Sequence, residues 1–281
     1  MPLIYHKRLI KIVTITKSNG ERVPFDSNKL INSLTRAGAE TKVAEAILKK
    51  IKPKIYNGIY TSKIYRMAFK ELRKLDNPAS SRYEARWAIT RLGRDGEGFS
   101  FEQFVGKIFE RMGYKVKTNQ IIEGKSGITH EIDIILEKGN EKILVECKHH
   151  SKQGLWVNVQ TALYVYARYL DLKNNFTGAM IVTNSRFSEQ SEMYAASVGL
   201  KLMSWDYPHG NSLREIADRY AVYPITVLHS VDNNTLGRLL VKGIVTVADI
   251  LSTPVSRLSG LIGRNAVSVR KEAESIVLSG N

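Results

Sequence analysis

The stretch that decides the fold is "HEIDIILEKGNEKILVECKHH", residues His130–His150. It contains two apolar runs joined by the turn "EKGNE". Asp133 lies inside the first run, and Glu146 and Lys148 lie at the end of the second. An ionised carboxylate removed from water costs several kcal/mol unless it is paired or binds a metal. The pattern therefore predicts a β-hairpin whose charged side chains hold one another or a ligand.

The alternation of side chains along a strand predicts which of these charges meet. Glu146 and Lys148 share one strand face, and Asp133 is expected on the face opposite to Ile132 and Ile134. The hairpin can bring Asp133 alongside Glu146. Adjacent carboxylates take up a proton unless a cation lies between them, and oxygen ligands favour Mg²⁺ or Mn²⁺. With the Lys148 ammonium nearby, the set suits metal-assisted hydrolysis of a phosphodiester.

The segments on either side of the hairpin predict how it is packed. Ser100 can cap a helix with Gln103 three residues on, and helically spaced apolar residues then run to Gly113. A short strand, "YKVKT", leads into the hairpin. After the hairpin come a helix, which contains Gln160, and then another strand. The expected order is a helix, a three-stranded meander, a helix and a strand.

This arrangement resembles the PD-(D/E)XK nuclease superfamily, and most of all its Mrr-like restriction endonuclease branch. The resemblance covers about Phe99 to Asp206 and includes "FSFEQFVGKIFERMGYKV" and "GAMIVTNSRFSEQSEMYAASVGLKLM". It implies a mixed α/β sheet flanked by helices. It also implies these roles: Asp133 and Glu146 bind the metal, Lys148 assists the attacking water, Glu102 adds an outer carboxylate, and Gln160 matches a polar position of some relatives. The usual "GxD" before the metal aspartate reads "HEID" here.

Simpler interpretations of the same residues stay open at this point. Glu146 and Lys148 fit an exposed ion pair on an edge strand, worth roughly 0–1 kcal/mol. Glu102 fits a carboxylate that complements a helix N-terminus. Adjacent residues of a strand face opposite ways, so at least one of His149 and His150 is expected at the surface. Cys147 is interpreted as a small core residue.

The first third of the chain predicts a short β element followed by helices rich in Lys and Arg. A strand in "KIVTITK" precedes a turn at "SNGE", and Asp26 or Ser27 can cap the first helix. Further helices are predicted in "KVAEAILKKIKPKI", "TSKIYRMAFKELRKL" and "SSRYEARWAITRL".

From about Val13 to Leu92 this region resembles an ATP-cone, a nucleotide-binding regulatory domain. The family's Lys-Arg-Asp-Gly turn reads Lys-Ser-Asn-Gly at residues 17–20. The resemblance implies a site for ATP or dATP, because cations and the N–H groups of a turn suit a triphosphate. A purely structural domain and a basic arm that holds DNA are the alternatives. The positions that match the family's nucleotide contacts are Lys17, Lys29, Thr61, Arg86 and Arg91.

The C-terminal region from Leu213 predicts short helices separated by glycine-containing breaks. Through "LSGLIGRNAVSV" it resembles the helix-hairpin-helix family and the related fold that ends the alpha polypeptide of RNA polymerase. Such a turn, with the next helix N-terminus, holds a DNA phosphate. A helical bundle for protein contact or dimerisation is the alternative. The resemblance implies DNA contacts at Gly260, Gly263, Arg264 and Arg270, in a turn that contains both glycines.

Composition and charge indicate three domains, 1–97, 98–210 and 211–281. The net charge is +15, and Lys+Arg against Asp+Glu is 21 to 9, 13 to 12 and 8 to 6 in these three segments. Gly, Pro and Asn collect near both boundaries, Arg94–Gly98 and Asp206–Ser212. A single cysteine excludes an internal disulfide, and no signal or membrane segment is apparent. A soluble, cytoplasmic protein without membrane contact is expected.

Taken together, the sequence predicts an α/β nuclease core between a mainly helical ATP-cone and a small all-α domain. The expected function is a Mg²⁺- or Mn²⁺-dependent DNA endonuclease that ATP or dATP regulates, with DNA and a nucleoside triphosphate as partners. No P-loop is present, so ATP is expected as an effector rather than a fuel. One nuclease site cuts one strand, so double-strand cleavage needs either a homodimer or two successive engagements of the DNA. A nucleotide-responsive DNA-binding protein with an inactive nuclease fold and a structure-specific repair nuclease are the alternatives.

Overall fold

The structure is a computed structural model that describes residues 13–17, 20–75, 77–92, 99–152 and 154–278. The chain divides into two compact units, of which the first ends at Tyr83 and the second begins at Glu84. The predicted boundary at Arg94–Gly98 lies outside the described residues. Within the described residues, no helix is long and apolar enough to span a membrane.

The first unit contains a small three-stranded sheet in the order β2-β1-β3. Strand β1 (Thr14–Thr16) pairs antiparallel with β2 (Arg22–Pro24) and parallel with β3 (Ile59–Tyr60). In the register of the parallel pair, Thr16 lies opposite Tyr60. The residues that follow each strand, Lys17 and Thr61, therefore lie at the same end of the sheet.

Helices pack on this sheet through helically spaced apolar side chains. They are α1 (Ser27–Arg36), α2 (Thr41–Ile51), α3 (Thr61–Leu75) and the first part of α4 (Asn77–Thr90). The predicted cap at Asp26 is confirmed, since its side chain accepts hydrogen bonds from the N–H groups of Asn28 and Lys29. The buried core of the unit includes Leu34, Ala44, Ile47, Ile51, Ile59, Ala68 and Leu72.

The second unit is built on a five-stranded mixed sheet in the order β10-β8-β6-β5-β4. Strands β4 (Lys115–Glu123), β5 (Thr129–Lys138) and β6 (Glu141–Lys148) form the predicted antiparallel meander. Strands β8 (Gly178–Thr183) and β10 (Lys201–Met203) extend it in parallel. Because β6 lies between β5 and β8, it is the central strand of the sheet. Two short strands, β7 (Trp156–Val157) and β9 (Arg186–Phe187), pair separately.

Helix α5 (Phe99–Arg111) belongs to the hydrophobic cluster on one face of this sheet. Helices α6 (Val159–Asp171) and α7 (Glu189–Val198) belong to the cluster on the other face. The predicted cap at Ser100 is wrong, since α5 begins at Phe99 and Ser100 lies in its first turn. Gly113 ends this helix as predicted, with a positive φ of 86°.

The C-terminal segment forms five short helices that share the cluster of α5. They are α8 (Leu213–Arg219), α9 (Asn233–Val241), α10 (Val247–Ser252), α11 (Val255–Ile262) and α12 (Ala266–Leu278). Ser212 and Thr246 form capping boxes at the starts of α8 and α10. One continuous set of buried apolar residues runs from α5 and the sheet to α12. The sheet and the C-terminal helices of this unit are therefore stabilised together.

Candidate active site

The predicted hairpin places Asp133 and Glu146 side by side at the centre of the sheet. The register of β5 and β6 pairs Ile134 with Val145, so Asp133 and Glu146 are the next residues on the two strands. The Oδ2 atom of Asp133 accepts a hydrogen bond of 2.7 Å from the Cys147 N–H. Two carboxylates distant in sequence therefore occupy adjacent positions on neighbouring strands.

The strand is irregular at Asp133, and one part of the predicted side-chain pattern is wrong. Ile132 packs in the cluster with α6 and α7, whereas Ile134 packs in the cluster with α5. These two residues do not share a face, so Asp133 cannot lie opposite to both. The ladder between β4 and β5 pairs the residues on either side of Asp133 but does not pair Asp133 with Asn119, whose φ is +51°. This local break in the pleat interrupts the alternation.

Glu146 is buried and has a basic side chain at each carboxylate oxygen. Lys148 Nζ lies 2.5 Å from Oε1, and Arg168 Nη1 lies 2.5 Å from Oε2. The side chain of Glu146 is only 5% exposed, Arg168 is 9% exposed and Lys148 is 42% exposed. The alternative of an exposed ion pair on an edge strand is therefore wrong, because β6 is central and Glu146 is buried.

The charges of the site change the pKa values of its members. Burial, and next the charge of Glu146, raise the pKa of Asp133 to about 6. Burial opposes the charge of Lys148, but the hydrogen bond and charge of Glu146 outweigh it and raise the Lys148 pKa. At neutral pH Lys148 is charged, and Asp133 is a carboxylate whose negative charge is disfavoured. A cation bound beside Asp133 would stabilise its ionised form.

Cys147 lies between the two charged residues of β6 but faces the core. It belongs to the cluster with Val145 and Val182, as expected for a small core residue. Burial, followed by the charges of Asp133 and Glu102, raises the pKa of its thiol well above the ordinary value. Cys147 is therefore a poor nucleophile, and Glu102 lies near enough to the site for its charge to act on this thiol.

Glu102 and Gln160 occupy the two helices that border the site. Glu102 lies in the first turn of α5 and is half-buried. Gln160 is exposed in the first turn of α6, eight residues and about two helical turns before Arg168. The structure thus places Gln160 and Arg168 on the same side of α6. The roles of Glu102 and Gln160 in catalysis stay predictions.

The two histidines after Lys148 have different surroundings. His149 makes a 3.0 Å hydrogen bond between Nε2 and the carbonyl oxygen of Ile89, and its ring lies 5.3 Å from that of Phe101. The backbone of His150 is fixed by Asn184, which accepts from its N–H and donates to its carbonyl oxygen, both at 2.8 Å. Both side chains are partly buried and partly exposed, so the surface role expected for at least one of them stays a prediction.

In the first unit, the sheet brings together two of the residues predicted to contact a nucleotide. Lys17 follows β1 and Thr61 follows the parallel strand β3, where it also opens α3. Lys17 is exposed and forms an ion pair of 3.0 Å with Glu21. Lys29 is exposed in the first turn of α1, which follows β2 at the opposite end of the sheet.

The remaining two nucleotide candidates lie near the end of α4. The side chain of Arg86 is outside the described residues. Arg91 belongs to the second unit, where its Nη2 donates to Glu84 Oε1 at 3.3 Å and to the carbonyl oxygen of Thr226. Its role with a nucleotide stays a prediction.

The C-terminal residues predicted to contact DNA surround the junction of α11 and α12. Gly263 lies at this turn with a φ of +67°, a conformation that favours glycine. The expectation that Gly260 shares the turn is wrong, since Gly260 lies inside α11. Arg264 is exposed, whereas Arg270 donates to Glu274 at 3.4 Å and to the Thr253 carbonyl oxygen at 3.1 Å.

Arg168 is the residue of the site that the sequence interpretation missed. It donates to Glu146 and, at 3.1 Å, to the carbonyl oxygen of Glu131 through Nη1, and its Nη2 donates to the Tyr164 hydroxyl at 2.8 Å. The spacing of Gln160, Tyr164 and Arg168 at four-residue intervals marks one polar line on an otherwise mixed helix. That spacing is the signal that could have drawn attention to Arg168.

Family models match three successive parts of the chain. Residues 94–207 match the restriction endonuclease model, residues 13–91 match the ATP cone domain, and residues 223–277 match the AF1548-like C-terminal domain. The predicted nuclease and ATP-cone resemblances are confirmed. The chain is therefore a protein that joins an ATP-cone, a restriction endonuclease domain and a helical C-terminal domain.

Known proteins resemble a large part of this chain. An uncharacterized protein of Archaeoglobus fulgidus is 34% identical over 176 residues, which are 62% of this chain and 99% of that protein. The crystal structure of a protein of unknown function, AF1548, is 32% identical and has a TM-score of 0.57, covering 64% of this chain and 97% of that one. The chain belongs to the family of the Archaeoglobus protein.

A more remote likeness is to MspJI restriction endonuclease in complex with a 27-mer oligonucleotide. It is 15% identical, with a TM-score of 0.38, and covers 59% of this chain and 36% of that one. A likeness of this size carries no functional argument.

Proposed function

We propose that the protein is a metal-dependent DNA endonuclease whose site is formed by Asp133, Glu146 and Lys148. The observation that carries the proposal is the adjacency of two carboxylates on neighbouring central strands, with a charged lysine 2.5 Å from one of them. The match to a restriction endonuclease family model supports the same chemistry. A solvated ion pair without catalytic use needs neither the burial of Glu146 nor a second carboxylate beside it.

The donor set of this site fits Mg²⁺ or Mn²⁺. Asp133 and Glu146 offer oxygen ligands, and the raised pKa of Asp133 indicates a carboxylate that another cation would stabilise. Within the described ranges, no group of three or more His, Cys, Asp and Glu side chains is arranged to hold a metal. Mg²⁺ commonly binds through one or two carboxylates and keeps several waters, so two such ligands are sufficient.

Each residue of the site has a role in the proposed hydrolysis. Asp133 and Glu146 would hold the metal, which when bound polarises a phosphodiester and lowers the pKa of a bound water. The Lys148 ammonium, 42% exposed, would orient the attacking water or stabilise the charge that develops on the phosphate. The Glu102 carboxylate would add to the negative potential that attracts the metal, and Gln160 would contact the substrate from α6.

Cleavage of supercoiled plasmid tests this proposal. Wild-type protein is incubated with plasmid and Mg²⁺ or Mn²⁺, with a chelator as the metal-free control, beside Asp133→Asn as the matched variant. We expect nicked or linear products only with metal and only with Asp133 in place. An intact plasmid under every metal condition, together with a mobility shift that Asp133→Asn retains, would instead indicate a DNA-binding protein with an inactive nuclease fold.

We further propose that the first unit binds ATP or dATP and regulates the nuclease. Lys17 and Thr61 lie at the carboxyl ends of adjacent parallel strands, next to the N-terminus of α3, and this arrangement suits the phosphates of a nucleotide. Lys29 is a further candidate contact in this unit. Arg86 and Arg91 lie in the second unit, and their roles with a nucleotide stay predictions from the sequence.

Equilibrium binding of fluorescent ATP to the full chain tests this site. We expect Lys17→Gln to weaken binding about tenfold, while the exposed Lys42→Gln of α2 leaves it unchanged. An equal effect of both substitutions would indicate only general attraction by the basic surface. Addition of ATP or dATP to the plasmid assay then shows whether occupancy changes the cleavage rate.

DNA contact and dimerisation complete the proposal. The turn at Gly263 with the exposed Arg264 would hold a DNA phosphate, and Gly260 and Arg270 are further candidates near this turn. Arg264→Gln should remove about one phosphate contact. The slope of log affinity for DNA against log salt concentration should therefore become less steep by about one. Two copies acting together would explain double-strand cleavage, and sedimentation of the protein with and without DNA measures this directly.

A further inference from the structure

Arg168 is built into the candidate site more firmly than an ordinary surface arginine. Its side chain is 9% exposed, and its two terminal nitrogens donate to Glu146, to the Glu131 carbonyl oxygen and to the Tyr164 hydroxyl. The Tyr164 ring lies 4.7 Å from the guanidinium centre. The Nε atom is buried and has no hydrogen-bond partner among the described residues. The guanidinium is thus held on three sides, with Glu146 as its charged partner.

The position of Arg168 affects any metal ion at Glu146. An arginine stays charged in a protein, so this cation cannot be removed by proton loss. Lys148 and Arg168 together place two positive charges on one buried carboxylate. A divalent ion that uses the same carboxylate meets the repulsion of both cations, and that repulsion is stronger inside a protein than in water.

We infer that Arg168 is a positioning residue that fixes Glu146 in the metal-free enzyme and competes with the metal for its carboxylate. This inference rests on the proposed nuclease function. Arg168 keeps the Glu146 carboxylate in one orientation while no metal is bound. The same contact weakens metal binding, so Arg168 sets the metal concentration at which the enzyme works.

The inference makes a prediction that a purely structural role does not make. Removal of the Arg168 charge should strengthen metal binding, because a competing cation is lost, and should slow cleavage, because Glu146 loses its fixed orientation. A residue that only stabilises the fold would weaken metal binding and cleavage together when it is replaced. The opposite signs of the two effects therefore identify the role.

Titration of Mn²⁺ into the full chain, followed by electron paramagnetic resonance of the free ion, measures binding without any cleavage. We expect Arg168→Gln to bind Mn²⁺ about tenfold more tightly than wild type. Its maximal cleavage rate should fall about 10- to 100-fold, while the Mn²⁺ concentration for half-maximal rate also falls. Arg214→Gln removes an arginine from another ion pair of the second unit, with Asp206 at 3.3 Å, and should change neither quantity.

Arg168→Lys keeps the test valid if Arg168→Gln does not fold. The retained charge should leave Mn²⁺ affinity within about twofold of wild type. Cleavage should still fall about tenfold, because one ammonium cannot replace the contacts of the guanidinium with Glu146, Glu131 and Tyr164. Circular dichroism melts establish which variants are folded.

The outcomes separate this inference from the proposed function. If wild type binds Mn²⁺ and cleaves DNA, but Arg168→Gln binds Mn²⁺ with equal or lower affinity, the competition is refuted and the nuclease stands. If Arg168→Lys loses Mn²⁺ binding together with cleavage, a purely structural role replaces the inference. A wild-type protein that neither binds Mn²⁺ nor cleaves overturns both proposals.

Discussion

Glu71 in the first unit and Glu146 in the second are both buried carboxylates with two basic partners. Glu71, on α3, pairs with Lys50 and, at 3.2 Å, with Lys74. Glu146, on β6, pairs with Lys148 and Arg168. Both partners of Glu71 are more than half exposed, whereas Arg168 is almost fully buried. In both clusters, a buried carboxylate pairs with two basic side chains.

The difference between them is a second carboxylate. The hydrogen bond from Lys50 outweighs burial and lowers the pKa of Glu71, so the negative charge of this carboxylate is favoured. Beside Glu146 lies Asp133, whose pKa is raised to about 6 by burial first and by the charge of Glu146 second, so the negative charge of this second carboxylate is disfavoured. A buried ion pair is therefore not enough to indicate a site. The second carboxylate, with its raised pKa, is what distinguishes Glu146 from Glu71.

Replacing each of the two glutamates by glutamine should give the largest difference in cleavage rate. We expect Glu146→Gln to reduce plasmid cleavage about 1000-fold or more, because a metal ligand is lost. Glu71→Gln should leave cleavage by the folded protein within about twofold of wild type, since it touches no reacting group. Rates of plasmid nicking at saturating Mg²⁺ measure both, and similar losses in the two variants would remove the distinction.

Replacing one lysine in each cluster should give a smaller difference in cleavage rate. Lys148→Met should slow cleavage about 100-fold, because the ammonium that orients water or stabilises charge is absent. Lys74→Met removes the corresponding partner of Glu71 and should leave the rate unchanged. Single-turnover cleavage is the measurement, with Mn²⁺ binding as a check that Lys148→Met still binds metal. Unchanged cleavage by Lys148→Met would leave its Glu146 contact as a purely structural pair.

The raised pKa of Asp133 predicts a pH-dependent stability. Its ordinary value is 3.8 and its folded value is about 6, so the folded protein binds the extra proton between these values. The free energy of unfolding should therefore decrease by about 2 kcal/mol as the pH rises from about 4 to about 7, with chelator present. Asp133→Asn should lack this component. Urea unfolding of both proteins across this pH range measures the difference. If the free energy of unfolding changed with pH in the same way for both proteins, the prediction would be contradicted.

The Glu71 cluster should show the opposite sign and the smallest effect. The lowered pKa of Glu71 means that its contribution to stability is present above the ordinary value of 4.5 and is lost as the pH falls below it. We expect Glu71→Gln to lower the melting temperature slightly at pH 7 and to match wild type in strong acid. Mg²⁺ should leave this difference unchanged, whereas Asp133→Asn should abolish any stabilisation by Mg²⁺. If Mg²⁺ changed the difference in melting temperature between wild type and Glu71→Gln, the proposed distinction between the two clusters would be wrong.

The strand pattern was enough to predict the core of the site. Alternating apolar residues and the turn "EKGNE" predicted β5, β6 and their antiparallel pairing, which brings Asp133 to Glu146. Cys147 was predicted in the core for the same reason, because it faces away from its two neighbours. Local patterns of this kind are reliable since the pleat repeats every two residues.

Other features depended on neighbours that no local pattern contains. The break at Asp133, across which Ile132 and Ile134 pack in different clusters, lies opposite Asn119, a residue with a positive φ on the adjacent strand. Gly260 was expected in a turn because glycines favour turns, but the buried Leu258 and Ile262 on either side of it keep it within α11. In both cases packing decided against the local preference.

The sequence by itself determined the order of elements, the hairpin and the residue types that suit metal-assisted hydrolysis, because these follow from periodicity and side-chain chemistry. The tertiary structure alone decided that β6 is central, that Glu146 is buried and that Arg168 reaches it from α6. Burial and pairing depend on which elements pack together, over separations of tens of residues. The distinction between a structural ion cluster and a candidate active site therefore belongs to the fold.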